Sequence, residues 1–143
     1  MTTINKGISI IISVFKQEKE LNNLLKQILS NETNYKGNYE VIIVADGEQV
    51  KINSSINLEN VHYFKREKNF GSGLSRHFGV LKSKFDIIVF IDADTELECD
   101  LLDIVEKNLR NDSELSGIIG VVDKVPINKK SISARDLASE TNY

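Results

Sequence analysis

The sequence predicts an α/β fold, a mostly parallel sheet with helices on both faces, from two patterns. Short β-branched apolar runs recur between polar or turn residues, and amphipathic stretches with helical spacing lie between them. A strand that is apolar on nearly every residue must be buried on both sides, and helices supply that cover.

Taken in order, the first strand is Ile8–Val14. Leu21, Leu24, Leu25, Ile28 and Leu29 follow at i, i+3, i+4, i+7 and i+8, one face of a helix. Tyr39–Val44 is the second strand, and the polar, weakly patterned stretch 47–60 is expected to be a loop or one poor helix. Val61–Phe64 reads as a weaker strand. Leu74, Phe78, Leu81 and Phe85 then mark the apolar stripe of a second helix. Asp86–Ile91 is the most hydrophobic strand, Leu101, Leu102, Ile104, Val105 and Leu109 mark a third helix, and Ile118–Val122 reads as a last strand. Beyond the only proline, Pro126, the chain turns polar. We therefore expect one sheet domain over 1–125 and a polar tail over 126–143.

The bulk numbers narrow the function. With 143 residues, 41% hydrophobic, the chain can bury a real core, which excludes intrinsic disorder and a disulfide-stapled miniature fold. A net charge of −3 gives no basic face for sequence-blind nucleic-acid binding, so any phosphate must be met locally. The single cysteine, Cys99, cannot close an internal disulfide; it is read as packing, and a reducing, cytoplasmic setting is the expectation. Neither a secretory h-region nor an unbroken apolar span of about 20 residues occurs, so no membrane segment is expected.

In open parallel sheets ligands sit beyond the carboxyl ends of the strands. There, Asp92 and Asp94 follow the strand Ile87–Ile91. Two carboxylates so close repel each other, and a hard cation such as Mg²⁺ or Mn²⁺ would relieve that while leaving room for substrate phosphates. Equally, Asp94 or Thr95 would serve as a cap for the next helix. Asp46-Gly47 closes the second strand and is also a hairpin signal, although no returning strand follows it. The segment 69–79 opens with G-x-G, but the third glycine of a dinucleotide fingerprint would fall on Arg76. An arginine in the first turn of a helix opposes the macrodipole, so Arg76 is either an anion ligand or a solvated charge. His62 and His77 read as structural or exposed, and Lys65–Lys68 as a solvated loop edge near the anion site.

Four blocks then carry a resemblance: 8–15, 39–47, Asn69-x-Gly71 with Ser75-Arg76, and Phe90-Ile-Asp-Ala-Asp94. In order and spacing, over roughly residues 7–125, they resemble family 2 glycosyltransferases. The resemblance implies a GT-A fold, truncated relative to a whole enzyme, and a nucleotide-diphosphate sugar of UDP or GDP type as donor. It implies that Ser13 and Phe15 line the nucleotide pocket, that Asp46 contacts the base and that Arg76 approaches base or phosphate. Asp92 would meet ribose or metal, and Asp94 would hold Mn²⁺ or Mg²⁺. Departures from the pattern are Ser13 for a proline, Phe15-Lys16 for Tyr-Asn, Ala45 and Glu48 in an Asp-Asp-Gly-Ser block, and His77 for an asparagine. The catalytic base and the region that binds the glycan, lipid or other acceptor are expected downstream of Tyr143, although Asp123 or Asp136 could be proposed as base. Such parts would place the enzyme at the inner face of a membrane.

Three rivals are weighed against this. A haloacid-dehalogenase-class phosphatase wants threonine or valine four residues after the first aspartate, where Glu96 stands. A sugar-nucleotide pyrophosphorylase wants glycines after the first strand, and Ser13–Gln17 has none. The third is a non-catalytic nucleotide-binding module lacking the acceptor half.

Overall fold

The computed structural model describes residues 5–29 and 35–120. The elements are β1 (Asn5–Val14), α1 (Glu18–Leu29), β2 (Tyr39–Ala45), β3 (Val61–Lys65), α2 (Ser72–Lys82), β4 (Phe85–Phe90) and α3 (Leu101–Asn111). All strands are parallel, in the order β3-β2-β1-β4. The chain divides into two compact units, 1–106 and 107–143. The first holds the sheet, α1, α2 and the start of α3; the described part of the second is the end of α3 and an irregular, exposed stretch.

The β1-α1-β2 crossover steps to one side of β1, and the β3-α2-β4 crossover steps back to the other. Parallel crossovers are right-handed, so opposite steps put the two helices on opposite faces. The α2 face is packed around Ile11, Ile42 and Val44, with Phe64, Phe78, Val80 and Ile88 against them. Ile8, Ile10, Ile12, Val41 and Ile43 point to the other face and are fully buried, as are Leu21, Leu25 and Ile28 of α1. Near-continuous burial of β1 and β2 is why both read as unbroken apolar runs.

Stretch 47–60 has no helix or strand, yet α1 holds it down. Asn22 donates to the Lys51 carbonyl at 2.9 Å and accepts from the Asn53 N–H at 2.7 Å, while Glu18 accepts from the Lys51 N–H at 3.0 Å. The Val50 N–H donates to the Tyr63 hydroxyl at 3.0 Å, and the Val50 side chain is buried.

Three expectations are corrected. Leu74 and Leu81 do not face the sheet; they are 54% and 68% exposed, and the buried positions of α2 are Ser75 and Gly79. A helix that lies close to a sheet needs small residues on its inner face, and a Cβ on Gly79 would collide with the Cγ2 of Ile11. Phe85 is no part of this helix but opens β4. Gly79→Val is therefore expected to destabilise the protein by about 2 kcal/mol in urea unfolding, overpacking outweighing the gain in helix propensity. Second, the strand expected over Ile118–Val122 is not formed in its described part: 118–120 pair with no strand and Ile119 is 95% exposed. A short apolar run has no strand identity until a neighbour takes up its N–H and C=O groups. Residues 121 and 122, and the boundary expected at 125, lie outside the described residues. Third, Cys99 is not packed but exposed.

At the amino end of the sheet one acid is buried. Glu40 accepts from the Ser9 hydroxyl at 2.7 Å and the Lys84 N–H at 2.8 Å. Its other oxygen lies 3.2 Å from His62 Nε2 and 3.6 Å from Lys84 Nζ. The Ser9 hydroxyl in turn accepts from the Phe85 N–H at 3.2 Å, so the start of β4 is tied to β1 and β2 through side chains.

Candidate functional site

The carboxyl ends of all four strands stay in register. The Ile91 N–H donates to the Ile11 carbonyl, that of Asp46 to Val14, and that of Arg66 to Ala45, at 3.1, 2.9 and 2.8 Å. This one edge therefore carries Ser13 at the end of β1 and Phe15 just after it, Asp46 after β2, Arg66 after β3 and Asp92 after β4. Strand order also reverses at β1, between β2 and β4, the position at which open α/β sheets bind ligands.

Ser13 is half-buried and Phe15 exposed, with Lys16 Nζ 5.0 Å from the Phe15 ring centre. Lys16 has φ +62°, a turn that swings the chain from β1 into α1, and its ammonium pairs with Glu48 at 3.3 Å. The β2-to-β3 connection is parallel, which disposes of a hairpin at Asp46-Gly47.

Asp46 is not a free acceptor. It is 3% exposed, and its carboxylate accepts from the Phe70 N–H at 3.1 Å and the Gly71 N–H at 2.8 Å. Gly47 makes the loop's approach possible: at φ +95°, a Cβ there would stand 2.6 Å from the Asn69 nitrogen. Asp46 thus holds the 69–71 loop against the end of β2 and sets where α2 starts.

Arg76 is the fifth residue of α2, one turn further in than the sequence suggests, and its guanidinium pairs with Asp92. The helix start itself has Gly71 as N-cap with no side-chain cap bond. Asp94 is exposed, with no side-chain hydrogen bond or ion pair among the described residues. The Thr95 N–H closes a turn on the Asp92 carbonyl at 3.0 Å, and α3 starts only at Leu101, so neither Asp94 nor Thr95 caps it. Asp94, exposed and unpaired, could supply one ligand to Mg²⁺ or Mn²⁺, which take one or two from protein and the rest from phosphate and water, whereas Asp92 is already paired with Arg76. No third His, Cys, Asp or Glu joins them among the described residues, so a closed protein cage is absent there.

One residue escapes the sequence reading. Arg66, taken there as part of a solvated loop edge, has a side chain only 18% exposed. It donates to the Ser75 hydroxyl at 3.3 Å, lies 4.0 Å from Asp46 and covers the Phe70 ring at 4.1 Å. A charged run gives no hint that one member turns inward. The only local signal is the pair of phenylalanines, Phe70 and Phe78, placed to receive it.

Comparison with known proteins agrees with the fold. A dolichyl-phosphate beta-glucosyltransferase of Trichomonas vaginalis is 23% identical over 114 residues, covering 73% of this chain and 35% of that one. The crystal structure of TarS from S. aureus superposes with a TM-score of 0.60 at 19% identity, covering 75% of this chain and 33% of that one. Its complex with UDP-GlcNAc gives 0.61, at 19% identity and covering 75% and 32%. These neighbours have the GT-A fold, and the chain spans about a third of the length of each. The family model described as glycosyl transferase family 2 matches residues 9–140, nearly the whole sequence, and the chain therefore belongs to that family.

Proposed function

We propose that this chain is the donor-binding part of a glycosyltransferase. It takes a nucleotide-diphosphate sugar of UDP or GDP type and passes the sugar to a glycan, lipid or other acceptor held by further chain. The observation that carries this reading is the gathering of Ser13, Phe15, Asp46, Arg76, Asp92 and Asp94 on one edge of the sheet. The relatives support the donor class: TarS is solved with UDP-GlcNAc and with UDP.

In this reading Asp94, with Asp92 beside it, would hold a divalent cation, which when bound would supply neutralisation of charge on the departing diphosphate. Arg76 is kept near the same place by Asp92 and adds a fixed positive charge for phosphate oxygens. Asp46 places the 69–71 loop, and Phe15 offers an apolar face to the nucleotide. Inverting transfer to an acceptor hydroxyl also needs a carboxylate base. The free, exposed thiol of Cys99 fits a reducing, cytoplasmic setting, and no helix among the described residues is long and apolar enough to cross a membrane.

Calorimetry of UDP with and without Mn²⁺ tests the proposal. Binding is expected to strengthen at least tenfold with Mn²⁺, about 1.4 kcal/mol, and Asp94→Ala is expected to abolish that gain. UDP binding that ignores Mn²⁺ would sink the metal assignment, and no binding would sink the donor site. The second reading is a nucleotide-binding module without turnover. Transfer and hydrolysis assays with a panel of nucleotide sugars separate the two.

A further inference from the structure

α2 carries an apolar stripe that faces water. Successive helical residues turn by about 100°, so Leu81, Leu74 and Phe78 fall within about 60° of one another, with His77 on one flank and Lys82 on the other. Of the three, Phe78 reaches the core and packs against Ile11, Ile42 and Val44. Leu74 and Leu81 stand exposed, as does Phe70 just ahead of the helix. Single apolar side chains on a surface need no explanation, but several along one ridge mark a contact.

The charge around this ridge departs from that of the chain. Net charge overall is −3, yet from Lys65 to Lys84 there are six Lys and Arg against one acid, Glu67. Arg66, Arg76 and Lys84 face Asp46, Asp92 and Glu40, and Lys65 lies on the other face of β3 from Phe64. Lys68 and Lys82 have no ion pair among the described residues. Lys68 Nζ is 5.1 Å from the Phe70 ring centre, and Lys82 Nζ is 5.4 and 5.7 Å from those of Phe78 and Phe64. Their stems run along apolar rings while the ammonium groups stay in water, which is how lysine serves a boundary between water and hydrocarbon.

We propose that the outer ridge of α2 is a docking surface for an anionic lipid bilayer. Phe70, Leu74 and Leu81 enter the boundary between headgroups and acyl chains, and Lys68 and Lys82 meet lipid phosphates. A second copy brought onto the same face by a twofold axis would set two basic faces against each other. A bilayer instead supplies negative charge and takes up protruding side chains without a matching recess. The surface uses none of Asp92, Asp94 and Arg76, so it stands whether or not the donor site binds nucleotide.

Sedimentation of the full chain with vesicles tests this. Vesicles of phosphatidylcholine and phosphatidylglycerol in equal parts are expected to carry the chain down, those of phosphatidylcholine alone are not, and high salt weakens the binding. Leu74→Gln with Leu81→Gln is expected to weaken it about tenfold, and Lys68→Glu with Lys82→Glu by at least as much. All four positions are exposed, so both variants keep the wild-type urea midpoint, which separates lost docking from lost fold. Lys19→Glu with Lys26→Glu makes the same change of charge on exposed positions of α1, on the opposite face of the sheet, and is expected to weaken binding less than twofold. The proposal is overturned if anionic vesicles do not bind the chain, if binding survives loss of the two leucines, or if the α1 pair costs as much as the α2 pair. A dimer in vesicle-free solution that the leucine variant dissolves would make a second copy the occupant and overturn it equally.

Discussion

Glu40→Ala is expected to cost about 3 kcal/mol of stability, a drop in Tm of about 10 °C. The carboxylate is almost fully enclosed and takes the Ser9 hydroxyl, the Lys84 N–H, His62 and Lys84 Nζ at once. Alanine leaves the buried Ser9 hydroxyl without its acceptor, frees the backbone N–H of Lys84, and opens a cavity at the start of β4. Lys84 and His62 are half-exposed and can turn to water, so the loss comes from the uncharged donors and the void more than from the ion pairs. Glu40→Gln keeps the volume and one acceptor oxygen, and is expected to lose about half as much. Urea unfolding monitored by circular dichroism measures both. A change below about 1 kcal/mol for alanine would mean that water replaces the carboxylate at no net cost. Nucleotide binding below the unfolding transition should be unchanged, because Glu40 lies at the opposite end of β2 from Asp46.

Asp46→Ala is expected to have the largest effect on binding, about 100-fold in UDP affinity, equal to about 2.7 kcal/mol. The substitution releases the Phe70 and Gly71 amides and removes the charge beside Arg66, so the loop and the guanidinium lose their positions together. Stability falls by only about 1–2 kcal/mol, since the freed amides are near water and can rehydrate. Titrations with and without Mn²⁺ distinguish this variant from Asp94→Ala. Loss of Asp46 weakens both conditions alike, whereas loss of Asp94 removes only the metal-dependent gain. An Asp46→Ala protein that binds UDP within about threefold of wild type, roughly 0.6 kcal/mol, would show that the loop holds its place by other contacts.

The two central strands were legible because they are buried on both faces. Burial of this kind forces a continuous apolar run, and β1 and β2 lie within a residue or a few of the positions that their runs mark, as does the partly buried edge strand β4. α1 was legible for a related reason, since its Leu21, Leu24, Leu25 and Ile28 are all buried. α2 misleads in part: Phe78 packs on the core as its spacing predicts, but the fully buried positions are Ser75 and Gly79, which carry no hydrophobic signal. The loop 47–60 was recognisable as irregular, but not as fastened, because Asn22 and Glu18 look like ordinary solvated helix residues until the fold brings Lys51 and Asn53 to them.

The sequence by itself determined the fold class, the family and the set of polar residues at the ends of the strands. Periodicity and motif order are local properties, and they survive without coordinates. Only the tertiary structure decided which of those polar residues are already committed. Asp46 is spent on the 69–71 loop, Asp92 on Arg76, and Arg66 turns inward from a charged run, whereas Asp94 stands open. Glu40, hidden in an apolar strand, likewise gains its partners from three other segments. A hydrogen bond between residues far apart in sequence depends on register and crossover geometry, and no reading of either residue's neighbours along the chain contains that information.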